Sequence, residues 1–117
     1  MGDYSAALLI FEKAQDWQRS KGRARETHIA SWCVARTLRS LGRIKEALSR
    51  QMKLYEESAG EEDGYVSEEI GECLIALNRL EEARPYFATA YELLSQDTWL
   101  SAQEPERLMR LKELSTQ

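Results

Sequence analysis

Apolar positions along the 117-residue chain recur at steps of three and four, the spacing that lays one face of an α-helix into a core. Ala7, Phe11 and Ala14 begin the series, and Leu108, Leu111 and Leu114 end it. Strand-like alternation is scarce. Glycines fall at intervals of about one helix plus a turn, at Gly2, Gly22, Gly42, Gly60 and Gly64, and Asn78 occupies the next stop. Glycine adopts the left-handed conformation that ends a helix, and asparagine is the best substitute for it. The pattern predicts helices over about 3–20, 24–41, 44–59, 65–77 and 80–94, and a short one from about 104. Ser101 and Glu104 have capping-box spacing at the start of that last helix. Pro85 lies in the second turn of the fifth helix, just past the positions where proline is harmless, so a local adjustment is expected there.

The pattern also repeats. When 41–58 is set over 77–94, Leu41 matches Leu77, Gly42 Asn78, Ile44 Leu80, Ala47 Ala83 and Leu54 Ala90. Upstream, Val34, Ala35 and Leu38 precede Gly42 as Ile70, Gly71 and Leu74 precede Asn78, and Gly2, Tyr4, Ala7, Phe11 and Ala14 follow the offsets of the second half-unit. Small residues on both helices (Ala35 and Gly71; Ala7, Ala47 and Ala83) allow close crossing while larger ones fill the ridges. In these residues the chain resembles the tetratricopeptide repeats across about 2–94, in the bacterial style. Gln51 departs from the pattern where a large apolar residue is usual, and the links between units are longer than in the family. The resemblance implies an all-α superhelix of antiparallel helix pairs, with about five repeat helices and a C-terminal capping helix. The expected parts are a second half-repeat at 2–21, repeats at 24–59 and 64–94, and a cap at 97–117 that folds Trp99, Leu108, Leu111 and Leu114 over the last unit.

Composition narrows the picture further. The length suits a single domain, and a net charge of -4 with both signs interspersed points to neither nucleic acid nor a polyanionic role. The longest apolar run is Ala6 to Phe11, too short for a membrane span. Two cysteines, Cys33 and Cys73, are too few for a disulfide scaffold and fit a reducing, cytoplasmic setting.

The resemblance implies an inner face built from the first helix of each unit, and binding of proteins or peptides there. The carboxylate clamp of chaperone-binding relatives is rejected, because Glu68, Glu69 and Glu72 stand where it needs cations or amides. What remains is a stripe of Ile29, Trp32, Arg36 and Arg39 and an adjoining one of Tyr65, Glu68 and Glu72. An aromatic floor with a basic and an acidic wall suits a peptide carrying charge and an apolar anchor. Against this, Arg36 and Arg39 can simply pair with Glu68 and Glu72, and Trp32 can be packing. For these charges that plainer account weighs more, although the family favours a binding role for the face as a whole.

Other candidates are weaker. Arg19, Lys21, Arg23 and Arg25 beside Trp17 could touch phosphates, but they read better as a solvated link, like the acidic run Glu56, Glu57, Glu61, Glu62 and Asp63. The only histidine, His28, is expected at the surface, and the cysteines lie in apolar stretches. No phosphate loop, zinc spacing or nucleophile with a paired base occurs, so the chain reads as non-catalytic, without cofactor or metal. A non-catalytic adaptor is therefore expected, with a self-associating scaffold or a sensor segment of a larger regulator as alternatives. The opening reads as the second helix of a repeat, expected either to have been cut from something longer or to have its gap filled by a neighbouring copy. On the second reading Tyr4, Leu8 and Phe11 are expected to present apolar surface for self-association, as in a homodimer through the N-terminal helix.

Overall fold

The computed structural model describes residues 3–57 and 63–116. Gly2, Gly60, Glu61 and Glu62, to which the sequence assigns turn or charge roles, lie outside the described residues. Among the described residues every regular element is a helix: α1 Tyr4–Ser20, α2 Ala24–Ser40, α3 Ile44–Glu57, α4 Gly64–Ala76, α5 Leu80–Leu94, α6 Thr98–Gln103 and α7 Pro105–Thr116. The all-α class and the first five helices are as expected, with boundaries shifted by a residue or two at half of their ends.

One turn is used three times. After α1 the Arg23 N–H donates to Gln18 O at 3.1 Å and the Gly22 N–H to Arg19 O at 3.1 Å. After α2 the Arg43 N–H donates to Leu38 O at 2.9 Å and the Gly42 N–H to Arg39 O at 3.0 Å. After α4 the Arg79 N–H donates to Leu74 O at 2.8 Å and the Asn78 N–H to Ile75 O at 2.9 Å. This is the nested pair of bonds that closes a helix through a left-handed residue. Gly22, Gly42 and Asn78 supply that residue, at φ of 68°, 83° and 60°. The arginine that follows each turn gives its carbonyl to the first turn of the next helix. In two of the three, its side chain also pairs with a glutamate three residues on (Arg43 with Glu46, Arg79 with Glu82). The repetition seen in the apolar pattern therefore extends to the turn and its charge pair.

The chain divides into two compact units, one running to Leu54 and the other from Tyr55. In the first, α1 packs along α2. Leu8, Ala30, Val34, Ala35, Leu38, Ala47 and Leu54 are its buried apolar residues. Gln15 Nε2 on α1 donates to Ser31 Oγ on α2 at 2.7 Å. In the second unit α4 packs on α5 and α5 on α7, around Val66, Ile70, Leu74, Phe87, Leu94, Leu100 and Leu111. Gly71 leaves room for the Phe87 ring of α5, since a Cβ placed there would stand 2.7 Å from Phe87 Cζ. α5 runs without interruption through Pro85.

The tail differs from expectation in two respects. Ser101 does not open a capping box. It lies inside α6, which Asp97 caps by accepting from the Leu100 N–H at 3.0 Å. α7 begins instead at Pro105, whose fixed φ and missing N–H suit a first helical position. Trp99 is 62 % exposed, and it is the adjacent Leu100, at 0 %, that enters the core with Leu108 and Leu111. α6 starts early enough to turn Trp99 outward.

Candidate functional site

α2 splits its residues between two faces. Ala30, Val34, Ala35, Thr37 and Leu38 are buried, which turns Ile29, Trp32, Arg36 and Arg39 to the other side at steps of three and four. Ile29 is 50 % exposed, Trp32 and Arg39 are half-buried and Arg36 is exposed. The Arg36 guanidinium lies over the Trp32 ring, 5.4 Å from its centroid, a cation–π contact that holds both planes in one orientation. This stripe, within the first unit, is an apolar and aromatic strip ending in fixed positive charge.

The second stripe carries a network. Glu68 is buried and takes Arg107 of α7 in a bidentate pair, with Arg107 Nε at 2.8 Å from Oε2 and Nη2 on Oε1. Arg107 Nη1 also donates to Glu104 at 3.2 Å, and the Arg107 guanidinium carbon stands 5.4 Å from the centroid of the Tyr65 ring. One turn on, Arg110 holds Glu72 through two bonds of 2.8 and 2.9 Å. The hydrogen bonds it donates to Glu68 raise the Arg107 pKa above its already high ordinary value, so this cation keeps its charge at any accessible pH. Burial pushes the Tyr65 hydroxyl up, with the negative charge of Asp97 adding to it. Glu68 and Glu72 are thus gripped by α7. Arg107 and Arg110 were not among the residues singled out from sequence. The signal was available: cations three apart on the Leu108–Leu111 helix complement carboxylates four apart on α4.

The remaining candidates fall as follows. Arg19, Lys21, Arg23 and Arg25 are exposed. Lys21 Nζ and the Arg23 guanidinium lie 5.9 and 5.2 Å from the centroid of the Trp17 ring. Glu56 and Glu57 end α3, and Asp63 caps α4 by accepting from the Tyr65 N–H at 2.9 Å. His28 is half-buried on α2 and not at the open surface. Cys73 is buried and Cys33 partly so. Burial pushes the Cys33 thiol up against a smaller opposing pull from Arg36, which keeps it a thiol and a poor nucleophile. Among the described residues no group of three or more His, Cys, Asp or Glu is arranged to hold a metal, and no helix is long and apolar enough to cross a membrane.

The expected apolar surface of α1 needs correcting. Tyr4 is 48 % exposed, but Leu8 is 8 % exposed and Phe11 half-buried, because the face that bears them is the one α1 turns to α2. The large apolar residues that α1 leaves in the open are Leu9, Ile10 and Trp17, together with Tyr4.

Residues 68–95, from the middle of α4 to the end of α5, match the family model of the tetratricopeptide repeat. No curated protein and no solved structure matches the chain. The matched segment contains Gly71, Asn78, Ala83 and Phe87, the residues that close the α4–α5 turn and set the approach of the two helices. Over that segment, the α4–α5 pair is similar to a tetratricopeptide repeat.

Proposed function

We propose that the chain is a non-catalytic adaptor that binds a protein or peptide through two patches, Ile29–Trp32–Arg36–Arg39 in the first unit and Tyr65–Glu68–Glu72 in the second. Tetratricopeptide repeats generally mediate protein–protein interaction, and theirs is typically a fold without chemistry of its own. The observation that carries the reading is the α2 stripe, where an exposed arginine is stacked on a half-buried tryptophan beside an exposed isoleucine. Aromatic residues and arginine are the side chains that most often dominate binding energy. The patch suits a ligand with an apolar anchor next to an acidic side chain. At the second patch a basic side chain of the ligand would compete with Arg107 and Arg110 for Glu68 and Glu72. A cysteine content of only two, Cys33 and Cys73, supports a cytoplasmic setting for this role.

Panning a random peptide library on the chain tests the reading. Enriched peptides should pair an apolar residue with Asp or Glu, and Trp32→Ala with Arg36→Glu should weaken their binding at least roughly tenfold, the scale of losing one anchor contact. The thermal unfolding of the double variant should stay close to that of the parent. Loss of fold would make Trp32 a core residue and remove the first patch.

A further inference from the structure

α1 has a second face that nothing in its own unit covers. Leu9 is 55 %, Ile10 64 % and Trp17 50 % exposed, and Ala6 and Lys13 are exposed with them. At 3.6 residues per turn these five fall within one arc on the side opposite Leu8. The stripe is therefore distinct from the face that packs on α2, and from the α2 stripe proposed above for peptide binding.

We infer that this stripe is the interface of a homodimer, in which α1 packs antiparallel against α1 of a second copy. Its charge order carries the choice of occupant. Asp3 lies at one end of the stripe and Lys21 at the other, and both are exposed. They are eighteen residues apart, five full turns, and so lie along the same edge of the helix. A two-fold axis near Glu12 brings Asp3 of each copy beside Lys21 of the other, closing both ends with opposite charges. The same register sets the small Ala6 against the large Trp17 and lets Ile10 cover the stem of Lys13. The Lys13 ammonium can then turn to Asp16 of the second copy, which keeps the two lysines from facing each other. Trp17 is already oriented for this, with Lys21 and Arg23 over its ring. A stripe acidic at one end and basic at the other is complementary to its own reverse, so a second copy supplies every contact it needs.

Sedimentation of the full chain from micromolar to several hundred micromolar tests the inference. The mass should approach twice 13.5 kDa as concentration rises. Ile10→Glu, at an exposed position, should leave the chain monomeric with an unchanged circular-dichroism melt. Lys21→Glu should weaken association about tenfold by facing Asp3 with a like charge. Met109→Glu changes an equally exposed apolar residue in the other unit and should have no effect. A chain that stays monomeric at every concentration overturns the homodimer. So does a dimer that survives Ile10→Glu or that Met109→Glu dissolves. A dimer indifferent to Lys21→Glu overturns the antiparallel register.

Discussion

Gln51 is a departure from the repeat pattern that the structure makes costly. It is 0 % exposed, and neither its amide nitrogen nor its amide oxygen meets a hydrogen-bond partner among the described residues. A buried amide left unpaired costs about 1–3 kcal/mol in desolvation. Methionine has nearly the same length and flexibility without that cost. Gln51→Met should therefore raise the unfolding free energy by about 1–2 kcal/mol, read as a higher denaturant midpoint at unchanged slope. A lower midpoint would mean that the amide is held by a partner. The sequence marked this position because its counterparts in the repeat pattern are apolar, but it could not say whether glutamine turned outward or entered the core. Leu8 shows the same limit. The sequence placed it on the first helix as an apolar residue, whereas the face turned to α2 was fixed only by packing, and that moved the open apolar surface to Leu9, Ile10 and Trp17.

At the scale of elements, the helices and their turns were legible because local chemistry decides them. Gly22, Gly42 and Asn78 end helices wherever they stand, through their tolerance of positive φ. The tail was less legible because two start signals lie close together. Asp97 opens α6, Pro105 opens α7, and a capping-box spacing between them drew attention to Ser101 instead. The function of α7 in the fold also came only with the structure. Its apolar side was expected to cap the last repeat, but Arg107 and Arg110 also fasten it to α4. The two pairs should differ sharply in worth. Glu68 is 8 % exposed at its side chain and Arg107 29 %, whereas Arg110 is 50 % exposed. Arg107→Ala strands a buried carboxylate and should destabilise the chain by about 2–4 kcal/mol. Arg110→Ala breaks a solvated pair and should cost less than about 1 kcal/mol. Chemical unfolding of the two variants side by side measures the difference. Equal losses would show that Glu68 is not held mainly by Arg107.

Across the whole molecule, stability should be unevenly spread, since the two units do not bury equal cores. α4 alone contributes Val66, Ile70, Cys73 and Leu74 at 3 % exposure or less, and α5 adds Phe87 at 0 %. α1 buries only Leu8 among its seventeen residues. Amide exchange follows local opening, which is easiest where few apolar contacts hold an element. At low protein concentration the amides of α4 and α5 should exchange on the order of a hundredfold more slowly than those of α1. The proposed dimer changes that ranking in a way no property of the monomer can. A second copy bound to the folded form stabilises it by mass action, so α1 protection should climb with concentration while α4 and α5 remain as they were. Hydrogen–deuterium exchange at two widely separated concentrations distinguishes the cases. A rise confined to α1 ties its protection to the outward stripe of Leu9, Ile10 and Trp17. Slow, concentration-independent exchange of α1 would instead mean that contacts within the monomer secure it, and the weak-helix reading of α1 would fall with the interface built on it.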